Sequence, residues 1–329
     1  MTRFCPRRPK RLTAMLAFAV ALAVPSAASA EPYFGFNDGS FWKETTPAQS
    51  AALHADAGAT STRVTLDWSY IEGTPGNYGW KTYDAIYHAQ LARGIRPLFT
   101  ISGAPAWAWE PGRQCAAGDV CRFPPARAHD GAWATFAERV AARYPQLAGI
   151  EVWNEPNFGG FWRGGIDPAR YTELLELAYD AIKRVRPGMT VVAGGMAGIL
   201  QEPGNSYAMS TRQFLQAMYE NGARGHMDAI ALHPYPEDVD FWRTYKLISA
   251  VKDTAAAHGD DLPLWLTEVG ITTTDGRFNE AAQGAIVSNL WERLRDYRAL
   301  PPSTSTRSSR PPTGARPTRR AAGASSART

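Results

Sequence analysis

Several things are scarce in this 329-residue chain, and each scarcity narrows what it can be. Its six histidines are scattered, with no His-x-His pair on any expected strand, so no metal or other cofactor is expected. Acidic residues are missing from both ends. Residues 1–30 hold five basic residues and residues 301–329 six arginines, so taking these from the formal +4 leaves −7 on residues 31–300. A body of that sign argues against nucleic acid as a partner. No interior Gly/Ser/Pro-rich linker divides residues 31–300, which favours one large domain. The apolar run from Leu12 to Val24 is too short to span a bilayer core of about 30 Å.

That run has another reading. Arg3, Arg7, Arg8, Lys10 and Arg11 precede it and Ala28-Ser29-Ala30 follows, the three parts of a secretory signal peptide ending at residue 30. A secreted, extracellular protein is expected, with no membrane attachment once the leader is removed. Of the three cysteines, Cys5 leaves with the leader. Cys115 and Cys121 remain, six apart in a loop of a chain bound for an oxidising compartment, and a disulfide between them is expected. The alternative is a zinc site, for which only His129 lies nearby.

Strand-then-helix units repeat from Tyr33 onward, the pattern of a parallel α/β fold. Expected strands cover 33–37, 61–68, 96–102, the run ending at Glu155, 190–194, 227–235 and the run ending at Glu268. Expected helices cover 47–57, 81–93, 130–143, 168 to just before Pro187, 211–221, 244–258 and 279–298. Pro168 in a first turn and Pro187 past an end fit helix termini. Seven units of about 35 residues predict a (β/α)₈ TIM barrel, in which active residues sit at the carboxyl ends of strands. A doubly wound open sheet is the rival, but Asn37-Asp38-Gly39-Ser40 is a poor phosphate-binding turn. The barrel reads as truncated after its seventh unit. Residues 301–329 use only Pro, Ser, Thr, Arg, Gly and Ala, which cannot bury a core. A frameshift near Leu300 accounts for this better than a natural linker, which should follow a completed barrel. The expected domain thus runs from 31 to 300 without an eighth strand, and its open ends would leave unpaired edges.

Two stretches carry the chemistry. Ile150-Glu-Val-Trp-Asn-Glu-Pro-Asn157 is a short apolar run stopped by Pro156, which cannot donate to a sheet ladder. Leu262-Pro-Leu-Trp-Leu-Thr-Glu-Val-Gly270 has the same form. Each delivers a glutamate, Glu155 or Glu268, to a strand exit. Paired carboxyl groups suit cleavage of a glycosidic bond, which needs a proton for the leaving oxygen and electron density for an oxocarbenium-like carbon.

Trp153-Asn154-Glu155-Pro156-Asn157 and Leu266-Thr267-Glu268-Val269-Gly270, in that order, resemble the strand-four and strand-seven motifs of clan A glycoside hydrolases, cellulase-like family 5 or family 39. The resemblance covers about residues 33 to 298. It implies a retaining β-glycosidase acting on a polysaccharide or oligosaccharide, with Glu268 as nucleophile and Glu155 as acid and then base. It also implies that Asn154 contacts the sugar 2-hydroxyl, and that Arg63 and His233-Pro234-Tyr235 are supporting residues. A non-catalytic or defective carbohydrate-binding barrel is the alternative, since family 5 members carry a sugar-stacking tryptophan on strand eight.

The residues leave some roles open. Arg63, on an apolar strand, needs a carboxylate partner if buried, either Glu268 or Glu151. Glu151 should share a strand face with Glu155 by alternation. Tyr235 can donate to Glu268 or have an ordinary buried partner. His233 can orient Glu155, bind substrate or sit satisfied in the core, and Asn154 can cap the strand end. Trp107, Trp109, Phe158, Phe161 and Trp162 fall in loops at one expected face, with Trp42 and Trp68 nearby. Trp107 and Trp162 are the chosen sugar platforms, since indole offers a flat apolar face to a pyranose.

Overall fold

The computed structural model describes residues 34–37, 45–116, 121–236, 241–274 and 276–295. The expected signal peptide, the 301–329 tail and Trp42 lie outside the described residues. Seven strands form one sheet: β1 (Gly35–Asn37), β2 (Ser61–Asp67), β3 (Arg96–Ser102), β4 (Gly149–Asn154), β5 (Val191–Ala197), β6 (Ala229–His233) and β7 (Leu264–Leu266). Each is parallel to the next, and the spatial order is the chain order.

Parallel neighbours need long crossovers. Helices supply them: α1 (Pro47–Asp56), α3 (Lys81–Leu91), α4 (Asp130–Arg143), α5 (Pro168–Val185), α6 (Thr211–Glu220), α7 (Trp242–Ala257) and, after β7, α8 (Glu280–Arg295). The expected units are all present. Among the described residues the additions are a single-turn helix, α2 (Trp68–Ile71), started by the Asp67 carboxylate accepting from Ser69 N–H, and short 3-10 turns at Ala106–Ala108 and Arg127–His129. Local chemistry fixes two further starts. Thr46 and Gln49 form a reciprocal capping box ahead of Pro47, and Asp167 caps α5 ahead of Pro168. Sequence overestimated some strand lengths: β6 spans five residues and β7 only three.

The sheet curls. Phe34, just before β1, packs its ring 5.1 Å from that of Trp291 on α8. The architecture is that of an α/β barrel through its seventh unit, and β1 and β7 each have one paired edge among the described residues. β1 is exposed along its length, and Phe36 is 41% exposed.

Alternation along the strands sorts residues into two environments. Outward positions such as Val64, Leu66, Phe99, Ile101, Ile150 and Val152 meet the helices in the main core, with Trp68, Trp133, Phe136 and Tyr144. Inward positions form a small apolar layer of Leu98, Val192, Ala229 and Ala231 against Trp265. One layer nearer the strands' carboxyl ends, the inward positions become polar: Arg63, Thr100, Glu151 and His233, all buried.

Candidate active site

The carboxyl end of β4 breaks the regular ladder. Trp153 has φ 74° and Glu155 φ 43°, left-handed values that carry a strain of about 1–3 kcal/mol each for residues other than glycine. On β5 the register shifts between Ala193 and Met196. Tyr171 of α5 fills the irregularity: its hydroxyl donates to Val152 O at 3.0 Å and accepts Gly194 N–H at 2.6 Å. The Trp153 ring lies on the helix side, against Trp133 and Trp162. Simple alternation therefore fails at Trp153, and yet Glu151 and Glu155 both face inward because the unusual backbone restores the phase.

Arg63 is the hub of the polar layer and is only 4% exposed. Its Nε donates to Glu151 Oε2 at 2.6 Å, Nη1 to Glu268 Oε1 at 2.5 Å and Nη2 to Asn154 Oδ1 at 2.7 Å. Both carboxylate partners proposed from sequence are thus correct at once. Burial alone would lower the Arg63 pKa, but the charges of Glu151 and Glu268 outweigh it and raise the value. Glu151 is fully buried and saturated: Oε2 also accepts from Thr100 at 2.5 Å, and Oε1 accepts from Thr267 at 2.8 Å and from Gly195 N–H at 3.0 Å. A charge this deep is tolerable only when paired and fully hydrogen-bonded.

Glu268, two residues past β7, receives Arg63 on Oε1 and the Tyr235 hydroxyl on Oε2 at 2.6 Å. Burial pushes its carboxyl up, but His233 when it is protonated, Arg63 and the Tyr235 donor hold it below the ordinary glutamate value. Tyr235 is pushed up, by burial first and then by its bond to Glu268, so its hydroxyl stays a donor. His233 Nδ1 lies 2.9 Å from Glu155 Oε1 and 3.7 Å from Glu268 Oε2. One oxygen of each of Glu155 and Glu268 and a nitrogen of His233 lie within 4.8 Å of one another. A cation there would have to sit beside the Arg63 guanidinium and displace hydrogen bonds already made, a poor fit for a metal.

Six expected residues, Arg63, Asn154, Glu155, His233, Tyr235 and Glu268, thus come together. The aromatic platforms divide. Trp162 is 1% exposed, its ring enclosed by Trp153 and Tyr171, so it offers no open face and is a core residue instead. Trp68 is likewise fully buried. Trp107 is half-buried, its indole N–H donating to Glu72 O at 2.9 Å and its ring edge-on to Trp68. Phe158 and Phe161 stay half-exposed in the loop after β4. The Cys115–Cys121 disulfide is formed in the loop after β3. Sequence reading passed over Thr100 and Thr267. The available signals were the position of Thr100 beside Glu151 in the sheet register and of Thr267 one residue before Glu268.

A curled parallel α/β sheet with Glu155 and Glu268 at its carboxyl rim has the form of barrels whose active residues sit at the carboxyl ends of the strands. The sequence profile of the glycosyl hydrolase catalytic core matches residues 106–297, more than half of the chain, and the chain belongs to that family. Comparison with curated proteins yields no match. Among solved structures, a family 39 glycoside hydrolase from Bacteroides cellulosilyticus superposes with a TM-score of 0.57 at 24% identity, covering 78% of this chain and 52% of that one. A family 39 β-xylosidase from Caulobacter crescentus gives a TM-score of 0.60 at 23% identity, covering 79% and 58%. An exo-β-1,4-mannosidase from an Opitutaceae bacterium gives 0.54 at 18% identity, covering 80% and 49%. These likenesses concern the fold, and the chain spans about half the length of the proteins it resembles. The resemblance read from the two glutamate motifs, to clan A families 5 and 39, agrees with both comparisons.

Proposed function

We propose that this chain is a secreted retaining β-glycosidase that hydrolyses a polysaccharide or oligosaccharide by double displacement. The observation that carries the reading is the approach of Glu155 and Glu268, one carboxyl oxygen of each lying within 4.8 Å of the other. Retaining enzymes hold their carboxyl groups about 5–5.5 Å apart, whereas inverting ones leave about 6.5–9.5 Å for a water. Glu268, held ionised by Arg63 and Tyr235, attacks the anomeric carbon while Glu155 protonates the leaving oxygen. Glu155 then takes a proton from the water that breaks the glycosyl ester. Asn154 gives its carbonyl oxygen to Arg63, which leaves the amide NH₂ to donate to the sugar 2-hydroxyl. Trp107 is the remaining candidate platform.

The test is trapping. A 2-deoxy-2-fluoro aryl β-glycoside should add one glycosyl group to Glu268, located by peptide mass spectrometry, and the hydrolysis product should form with its anomeric configuration retained. Inversion would sink the assignment. A second reading, a carbohydrate-binding barrel without turnover, is suggested by β1 and β7 each pairing on one side among the described residues. It predicts sugar binding with no label on Glu268. Secretion is tested separately, by whether the exported protein begins at Glu31.

A further inference from the structure

Thr267 touches neither carboxyl group of the proposed pair, but it is wired to both through other residues. A threonine hydroxyl carries one hydrogen. Its partner 2.8 Å away is Glu151 Oε1, a fully buried carboxylate that also takes hydrogens from Arg63, Thr100 and Gly195. An ionised carboxylate can only accept, so the Thr267 hydrogen points to Glu151. Its lone pairs then face His233 Nε2 at 3.1 Å, and that nitrogen must carry a hydrogen. In the neutral ring this leaves Nδ1 as an acceptor, facing Glu155 Oε1 at 2.9 Å. An acceptor there favours the form of Glu155 that has a proton to donate.

We infer that Thr267 is a positioning residue that fixes the His233 tautomer, and thereby keeps the proton of the His233–Glu155 pair on Glu155 for delivery to the leaving group. This rests on the glycosidase reading above. No atom is gained or lost: the proton moves from Glu155 to the glycosidic oxygen, and one from water returns. The other charged or titratable groups facing the pair are Glu268, 3.7 Å from Nδ1, Arg63 and Tyr235, whose fields also reach Glu155. Changing Thr267 also removes its hydrogen bond to Glu151, so the leaving-group dependence and the ring tautomer, rather than overall activity, isolate its effect on His233. Without it, the ring is free to carry its hydrogen on Nδ1 and to donate to Glu155, which stabilises the ionised carboxylate.

Thr267→Val removes the hydroxyl at nearly constant shape, and Thr267→Ser restores it. Thr267→Val should lose about tenfold or more in kcat/KM on an alkyl or phenyl β-glycoside, which needs a proton at the leaving oxygen, and little on a dinitrophenyl glycoside. Its basic limb should move to lower pH, and Thr267→Ser should restore both properties. Nitrogen-15 histidine spectra, with the His233 signal assigned by its loss in His233→Gln, should give the Nε2–H tautomer in the wild type. Equal losses on both leaving groups, or an Nδ1–H tautomer in the wild type, overturns the inference. A wild type that turns over no glycoside would sink the glycosidase reading alone, since the spectra still report the tautomer.

Discussion

Arg63 and Glu268 are 205 positions apart, and their side chains meet at 2.5 Å. One comes from the second strand and the other from beyond the seventh, so the contact exists only because the sheet curls. The same guanidinium holds Glu151 and Asn154. Folding and the ionisation of the proposed nucleophile therefore depend on one side chain.

Arg63→Met should be costly on both counts. It leaves Glu151 and Glu268 without their counter-ion in a buried site, and breaking such a pair costs about 3–5 kcal/mol. Urea unfolding should show that loss as a lower midpoint at unchanged slope. Arg63→Lys keeps a charge but cannot reproduce a planar fork serving three acceptors, so it should recover part of the stability and little of the activity. An Arg63→Met protein unfolding at the wild-type midpoint would refute the hub.

Tyr235→Phe tests the pH behaviour of Glu268. Removing a donor to the ionised carboxylate raises its pKa, so the acidic limb of kcat/KM should move to higher pH while the basic limb stays in place. The stability sign follows from linkage. A carboxyl held below its unfolded value adds stability above the ordinary glutamate range and loses it as pH falls through the folded value. Tyr235→Phe should therefore narrow the gap in stability between neutral pH and pH below that range. A basic limb that moves instead would assign Tyr235 to Glu155.

Much of this was legible in the sequence, for physical reasons. Strands β2 to β6 are largely buried on both faces and read as apolar runs bounded by Gly and Pro, so the repeating units stood out. Both glutamates sit where an apolar run stops. Trp162 was misread because a tryptophan in a loop and one in a core look the same in sequence, and this one packs edge-on against Trp153 and Tyr171. The strand lengths were overread at β6, whose ladder ends with His233 before Pro234, and at β7, which ends two residues before Glu268. Thr267 adjoins Glu268 in the motif, but nothing local to it names its partners. Its role depends on Glu151, 116 residues earlier.

Glu155→Ala should separate the two stages. Losing the acid removes proton delivery, a factor of about 10²–10⁴ on substrates with poor leaving groups. A dinitrophenyl glycoside needs no proton in the first stage, so it should still label the enzyme, with the second stage now slow. Added azide, a nucleophile that needs no base, should speed that stage and give a glycosyl azide of retained configuration. An azide product of inverted configuration would reverse the roles of Glu155 and Glu268.

Gly195→Ala probes how tightly the polar layer is closed. A methyl group at Gly195 would lie 2.1 Å from His233 Nε2 and 2.7 Å from Cδ2, closer than packed atoms come. The ring cannot step aside freely, since Nδ1 is engaged with Glu155 and Nε2 with Thr267. The backbone cannot retreat without breaking the Gly195 N–H bond to Glu151. Overpacking of this kind costs about 1–3 kcal/mol in stability. The activity loss should be larger than that stability loss alone implies, because the displaced ring is the one that faces Glu155. Gly131→Ala is the matched control: it lies in α4, the added methyl meets no atom within 4 Å, and replacing a helical glycine should stabilise by about 0.4–1 kcal/mol. Activity in that variant should be unchanged. Thermal midpoints and kcat on one aryl glycoside, measured for both proteins, decide the matter. If Gly195→Ala turns over at the wild-type rate, the packing of His233 against β5 is not what fixes its position.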